Sequence, residues 1–233
     1  MNPILIFRHV EYEGPGYLSE FLDARNIPYR IINIDRGEAV PGELDNISGL
    51  VFMGGPMSVN DPVPWIAEEL ALIRKAHEYS LPMLGHCLGG QLISKALGGK
   101  ISANPVKEIG WDQVNRPKNN CGDLFLPGLA DKFEAFHWHG EMFSIPDGAE
   151  LILSSQFCKN QEFVIGKTIA MQCHIEVTAA MVREWVSLFT EQLENPSSSI
   201  QSETTILLDV EKKAIELRKI ADQIYSHWLK GVE

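Results

Sequence analysis

The chain has 233 residues, 45% hydrophobic and 22% charged, with 20 Lys and Arg against 31 Asp and Glu for a formal net charge of −11. That is the composition of a soluble globular protein and excludes a disordered or fibrous one. The acidic balance excludes a nucleic-acid partner, whose phosphates need clustered Lys and Arg, and no apolar run approaches the ~20 residues that span a bilayer, so no membrane partner is expected.

The opening MNPILIFRHVEYEGPGY does not read as a secretory signal. Ile4-Leu5-Ile6-Phe7 reads as a buried strand, and Leu18, Phe21 and Leu22 recur at helical spacing up to Asn26-Ile27-Pro28. Residues 29–34 form a second strand and 49–53 a third. Ile66, Leu70 and Ile73 mark a helix ending near Tyr79-Ser80; 81–85 is a fourth strand, and 91–97 a short helix closed by Gly98-Gly99. Apolar strands alternating with helices predict an α/β fold with a doubly wound, mostly parallel sheet, whose ligands sit beyond the carboxyl ends of the strands. The second half is strand-rich, with strands at 108–115, 133–138, 151–155 and 162–165. Turns are expected at Pro117-Lys118-Asn119-Asn120 and Pro146-Asp147-Gly148. Another apolar strand covers 167–173, a helix about 178–193, and Asn195-Pro196-Ser197-Ser198-Ser199 is a linker signal. Leu207, Val210, Ala214, Leu217, Ala221, Ile224 and Trp228 then follow 3-4-3-4 spacing, an amphipathic helix of about seven turns. Its stripe is expected to pack on the parent domain, with dimerisation as the alternative.

The strongest chemical signal is Gly85-His86-Cys87-Leu88-Gly89-Gly90-Gln91, where a strand runs through G-x-C-x-G into a helix. This is a nucleophile elbow with cysteine in place of serine. The flanking glycines relieve a crowded turn, the Leu88 amide points toward an oxyanion formed at Cys87, and the positive end of the helix favours a thiolate. A cysteine nucleophile needs a base, and the base an orienting partner. His174 and Glu176, two apart at the end of the 167–173 strand, leave the same face of an extended chain, with Cys173 turned to the core. Gly54-Gly55-Pro56 ends the third strand; its glycines let backbone amides approach a ligand, and one of them with the Leu88 amide makes a two-donor oxyanion hole, against the alternative of a plain tight turn. A phosphate loop is excluded, since neither G-x-x-x-x-G-K-[ST] nor G-x-G-x-x-G occurs. Four cysteines without C-x-x-C spacing argue against a disulfide framework, and Cys121 and Cys158 read as inert. His137 and His139 are a poor metal pair without a third ligand, so no metal and no cofactor are expected. His9 lies at the end of the first strand, and residues 11–16 read equally well as a rim loop or an idle surface loop.

G-x-C-x-G-x-Q at 85–91, G-G-P at 54–56 and H-x-E at 174–176 together resemble the class I, triad-type glutamine amidotransferases, over most of residues 1–190. Ala96-Leu97-Gly98-Gly99-Lys100, Glu108-Ile109-Gly110-Trp111 and His137-Trp138-His139-Gly140-Glu141 are similar to the subgroup related to the amidotransferase domain of GMP synthase. The resemblance implies that Cys87 attacks the side-chain amide of glutamine, His174 and Glu176 manage the proton, and ammonia leaves before water hydrolyses a γ-glutamyl thioester. It implies oxyanion amides at Gly55 and Leu88, and substrate contacts at Gly54, Gln91, Trp138, Gly140 and Glu141. Two positions depart from the family pattern: Gly90, where many members carry histidine, and Ile175, where they commonly carry proline. No synthetase segment follows within these 233 residues. The expected partners are therefore glutamine or a γ-glutamyl small molecule and, unless the chain is a stand-alone glutaminase, a synthetase subunit that accepts ammonia, with hydrolysis or transfer of γ-glutamyl peptides or conjugates by the same triad and a non-catalytic regulatory domain as alternatives. The domain expectation is a flavodoxin-like amidotransferase unit over 1–194 and a linker with a C-terminal helix over 195–233 packed on it, in a cytoplasmic protein.

Overall fold

A computed structural model of the chain describes residues 1–117 and 128–232. The turn expected at 117–120 lies, from Lys118 onward, outside them, as does Cys121. Among the described residues nine strands form one sheet: β1 (Ile4–Arg8), β2 (Tyr29–Asn33), β3 (Gly49–Phe52), β4 (Met83–His86), β5 (Ile101–Asn115), β6 (Lys132–Phe143), β7 (Glu150–Ser155), β8 (Glu162–Ile165) and β9 (Thr168–Met171). Their spatial order is β2-β1-β3-β4-β9-β8-β7-β5-β6. The first five in that order pair in parallel and the rest antiparallel.

The parallel half is built from strands apolar on both faces. In β1, Ile4 and Ile6 join one core cluster while Leu5 and Phe7 join the other, the period-two alternation of a strand buried on both sides. Helices α2 (Pro64–Glu78) and α3 (Leu88–Ala96) cover the second face. Helices α1 (Tyr17–Asp23), α4 (Ala179–Leu188) and α6 (Val210–Val232) cover the first. The short α5 (Glu203–Leu207) precedes α6.

Three expected elements end differently. The 167–173 strand leaves its ladder at Met171, and His174 instead makes a single bridge to Phe136 of β6, its amide donating to the Phe136 carbonyl at 2.8 Å. The helix expected to run unbroken from Leu207 stops at Leu208, which is extended, and Asp209 takes φ 55° before α6 begins. Periodicity carries through this break because both helices bury their apolar side in one cluster, through Ile206, Val210, Leu217 and Ala221. The 195–199 segment runs beside β5: Ile109 donates its amide to Ser199 O at 2.9 Å and accepts from the Gln201 amide at 2.9 Å. No described helix is long and apolar enough to cross a membrane.

Candidate active site

Glycines set the elbow. A β-carbon on Gly89 would stand 2.0 Å from the Phe52 carbonyl oxygen, and one on Gly90 2.4 Å from that of Met171, so the start of α3 lies directly on the backbones of β3 and β9. Gly90 therefore has no room for a side chain. Cys87 sits at the turn with φ 49° and ψ −106°, a left-handed conformation that a non-glycine residue adopts only when its surroundings enforce it. Its amide donates to Met171 O at 2.9 Å, and its carbonyl accepts from the Gln91 amide at 3.0 Å. The thiol, 6% exposed, opens on a cavity of about 290 Å³ at the carboxyl ends of the parallel strands.

His174 and Glu176 enter the same place from the bend after β9. The His174 Nδ1 lies 2.6 Å from Glu176 Oε1, and the ring interacts electrostatically with the Cys87 side chain. Burial opposes charge on His174, but Glu176 and Cys87 outweigh it and hold the imidazole well above its ordinary pKa. Burial likewise opposes charge on Glu176; His86 and then His174 outweigh it and hold the carboxyl well below the usual carboxylate range. The loop after β1 is not idle: the Tyr17 amide donates to the Glu176 carbonyl at 2.8 Å, and Gly16, at φ 48°, has no space for a β-carbon against that oxygen.

Gly55, Gln91, Trp138, Gly140 and Glu141 line the cavity with Cys87 and His174. Leu88 begins α3, directly after Cys87. Gly54 stands beside the cavity, its Cα facing the Glu13 carboxylate and the His174 ring. Gln91 Nε2 donates to Gln172 Oε1 at 3.1 Å, and Gln172 Nε2 reaches Cys87 Sγ at 3.5 Å. Ser58 Oγ donates to Glu141 Oε1 at 3.0 Å. His9, 1% exposed, contacts Met53 O and Gly54 O through Nδ1 at 3.0 and 3.2 Å, and Glu69 through Nε2 at 3.1 Å. It thereby fastens the glycine turn after β3.

Several further groups line the cavity, and all of them except Glu13, which belongs to the loop read as a rim candidate, carried no signal in the sequence. Glu13 comes from the loop after β1, Lys107 from β5, and Trp185, Phe189 and Gln192 from α4 and the turn after it. Trp185 meets His174 edge-on at 4.9 Å between ring centroids. Glu13 is pushed up to about 7 by burial, with His174 acting in the opposite direction.

The His137 and His139 pair gains a third neighbour, Glu108, with potential ligand atoms of all three within 4.8 Å of one another. The Gln161 amide nitrogen fills the centre, 2.7 Å from Glu108 Oε2, 3.4 Å from His137 Nδ1 and 3.5 Å from His139 Nε2. Burial lowers His137 to about 4, which leaves that ring neutral. His139 Nδ1 lies 3.0 Å from Glu141 O, so this cluster braces the strand that carries Trp138, Gly140 and Glu141 to the cavity. Cys158 and Cys173 are buried away from it, and burial raises both thiol pKa values, to about 12 for Cys158.

The family model for glutamine amidotransferase class-I matches residues 18–189. A crystal structure of a glutamine amidotransferase from Methylobacillus flagellatus is similar over 100% of this chain and 96% of that one, with a TM-score of 0.95 and 41% identity. A glutamine amidotransferase-like protein of Salmonella typhimurium is 27% identical over 191 residues, 79% of this chain and 80% of that protein. One subunit of the glutamine-hydrolyzing GMP synthase of Sulfurisphaera tokodaii is 35% identical over 120 residues, 49% of this chain and 58% of its own length. The chain spans only about a quarter of the single-chain GMP synthases it also matches. The chain belongs to the class-I glutamine amidotransferases. It is a cysteine-dependent enzyme, with chemistry analogous to that of the glutaminase part of GMP synthase.

Proposed function

We propose that Cys87 is the nucleophile, His174 its acid–base partner and Glu176 the carboxylate that orients the imidazole, acting on the side-chain amide of glutamine. The Cys87 sulfur adds to the amide carbon, and the oxyanion that forms accepts from the backbone amides of Gly55 and Leu88. His174 gives its proton to the departing nitrogen; the C–N bond breaks, ammonia leaves and a γ-glutamyl thioester remains on Cys87. His174 then takes a proton from water, whose oxygen displaces the sulfur to give glutamate and the free thiol. Gln91, Trp138, Gly140 and Glu141 hold the glutamine, and Gly54 shapes the turn beside it. The catalytic unit spans 1–194, and 195–233 packs on it. Ammonia passes to a separate synthetase protein, a reading supported by the likeness to a GMP synthase that is divided into subunits. The observation that carries the proposal is the buried Glu176–His174 hydrogen bond whose imidazole lines the same cavity as Cys87. In a glutamate-release assay, Cys87→Ser should lose activity by about 10³-fold or more, with Cys121→Ser as the control; an active Cys87→Ser protein would overturn it.

A second reading is hydrolysis of a γ-glutamyl conjugate through the same thioester. Three aromatic side chains, Trp138, Trp185 and Phe189, line the cavity. They offer more apolar surface than the small, polar glutamine uses, and would suit a bulkier leaving group. Comparing kcat/KM for glutamine, glutathione and γ-glutamyl dipeptides separates the two, with the highest value naming the substrate class.

A further inference from the structure

We infer that His86 is a positioning residue that locks the Glu176 carboxylate between two imidazoles, and that the C-terminal helix completes the lock through Tyr225. The inference rests on the roles proposed above for Cys87, His174 and Glu176. His86 is the last residue of β4, directly before the nucleophile position, and is 0% exposed. Its Nδ1 lies 3.0 Å from Glu176 Oε2, while Glu176 Oε1 is 2.6 Å from His174 Nδ1. The far side of the ring, Nε2, is 3.4 Å from the Tyr225 hydroxyl, and the two rings meet edge-on at 86°. One proton arrangement suits every contact. The Tyr225 hydroxyl donates to His86 Nε2, His174 Nδ1–H donates to Glu176 Oε1, and His86 Nδ1 faces Glu176 Oε2 in a close polar contact that falls short of an aligned hydrogen bond.

Each carboxylate oxygen thus faces an imidazole nitrogen from a different element. Without the ring beside Oε2 the buried carboxylate is free to rotate or to take up a proton, and either event misdirects the His174 ring. The titratable groups facing Glu176 are His86 from β4, His174 from its own bend, Glu13 from the loop after β1, Tyr225 from α6 and the adjacent Cys173. Of these, His86 and His174 are the groups that favour its charged form. Tyr225 lies outside residues 18–189 that match the family model, so α6 brings to this site a contact that the matched region does not contain.

The test follows kcat, KM and the pH dependence of glutamate release, with the pH dependence of Cys87 alkylation by iodoacetamide as an independent readout. The variants are His86→Val, His86→Asn and Tyr225→Phe, each checked for folding by circular dichroism. His86→Val should lower kcat by about 10- to 100-fold with KM changed less than about threefold, and move the acid limb of the profile to higher pH as Glu176 becomes easier to protonate. His86→Asn, which keeps a donor, should recover part of both effects, and Tyr225→Phe should shift the limb in the same direction by less. A folded His86→Val protein with the wild-type kcat and acid limb overturns the inference. If that variant does not fold, wild-type profiles in both His86→Asn and Tyr225→Phe overturn it. Cys87→Ser run alongside separates the failures: activity there overturns the proposed function, whereas an inactive Cys87→Ser beside unaltered His86 variants overturns this inference alone.

Discussion

The inner wall and the rim of the cavity treat the same functional group in opposite ways. Behind the His174 ring on the inner side, Glu176 is fully buried, yet His86 and His174 hold it well below the usual carboxylate range. On the rim, Glu13 also loses its solvation, and the charges of His174 and His9 act on it without preventing a rise to about 7. Burial alone disfavours a carboxylate; close imidazole partners reverse that, and more distant ones reduce it only in part. One acid is therefore a permanent charge, suited to orienting a base, while the other changes state near neutrality. A third carboxylate extends the contrast: Glu162 on β8, with Arg116 opposing, is pushed up to about 8 by burial.

The contrast breaks most severely at Glu176. Glu176→Gln keeps the shape and removes the charge, so kcat should fall by about 10³- to 10⁴-fold, as loss of the orienting acid does in comparable triads. Near-normal turnover would show that the two flanking histidines need no anion between them. At the rim, the wild-type KM for glutamine should pass through an inflection near pH 7 that Glu13→Gln abolishes, with kcat changed less than about tenfold. A KM that is flat from pH 6 to 8 in both proteins would remove Glu13 from substrate recognition.

The smallest effect concerns stability. Glu162 has a folded pKa raised above its ordinary value of 4.5, so the fold prefers the protonated acid. Its contribution is most favourable below pH 4.5 and is lost as pH rises through about 8. Glu162→Gln, which mimics the protonated acid, should raise unfolding free energy by about 1–2 kcal/mol at pH 9 and by much less at pH 5. Glu176 has the reverse sign: its depressed pKa contributes stability above 4.5 that is lost as pH falls. Denaturant titrations at two pH values check both directions.

The parallel half of the sheet was legible because Ile4, Leu5, Ile6 and Phe7, and the corresponding runs at 49–53 and 81–85, are apolar on both faces, and only a sheet covered on both sides needs that. The elbow was legible because its glycines stand where the backbones of β3 and β9 press on α3. The H-x-E pairing also emerged, although for a different local reason. The two side chains meet across a bend after Met171, held by the bridge from His174 to Phe136, where an extended strand was expected. The antiparallel strands ran longer than their apolar cores suggested, since β5 and β6 include polar residues such as Lys107, Glu108, His139 and Glu141 that face the cavity or the buried cluster. The pattern of Leu207 and Val210 concealed a break at Leu208-Asp209, because periodicity reports which side is buried and is blind to a single left-handed residue.

The sequence by itself determined the α/β class, the cysteine in its strained turn and the histidine and acid proposed to serve it, because each depends on short-range spacing and local backbone demands. Only the tertiary structure decided which groups tune them. His86 lies beside the nucleophile in the chain, but what it does depends on Glu176, 90 positions later, and on Tyr225 from the last helix. Glu13 reaches the rim from the other end of the chain. The charge state of a buried acid depends on distance to its neighbours and on lost solvation, and neither quantity exists until the strands have been brought side by side.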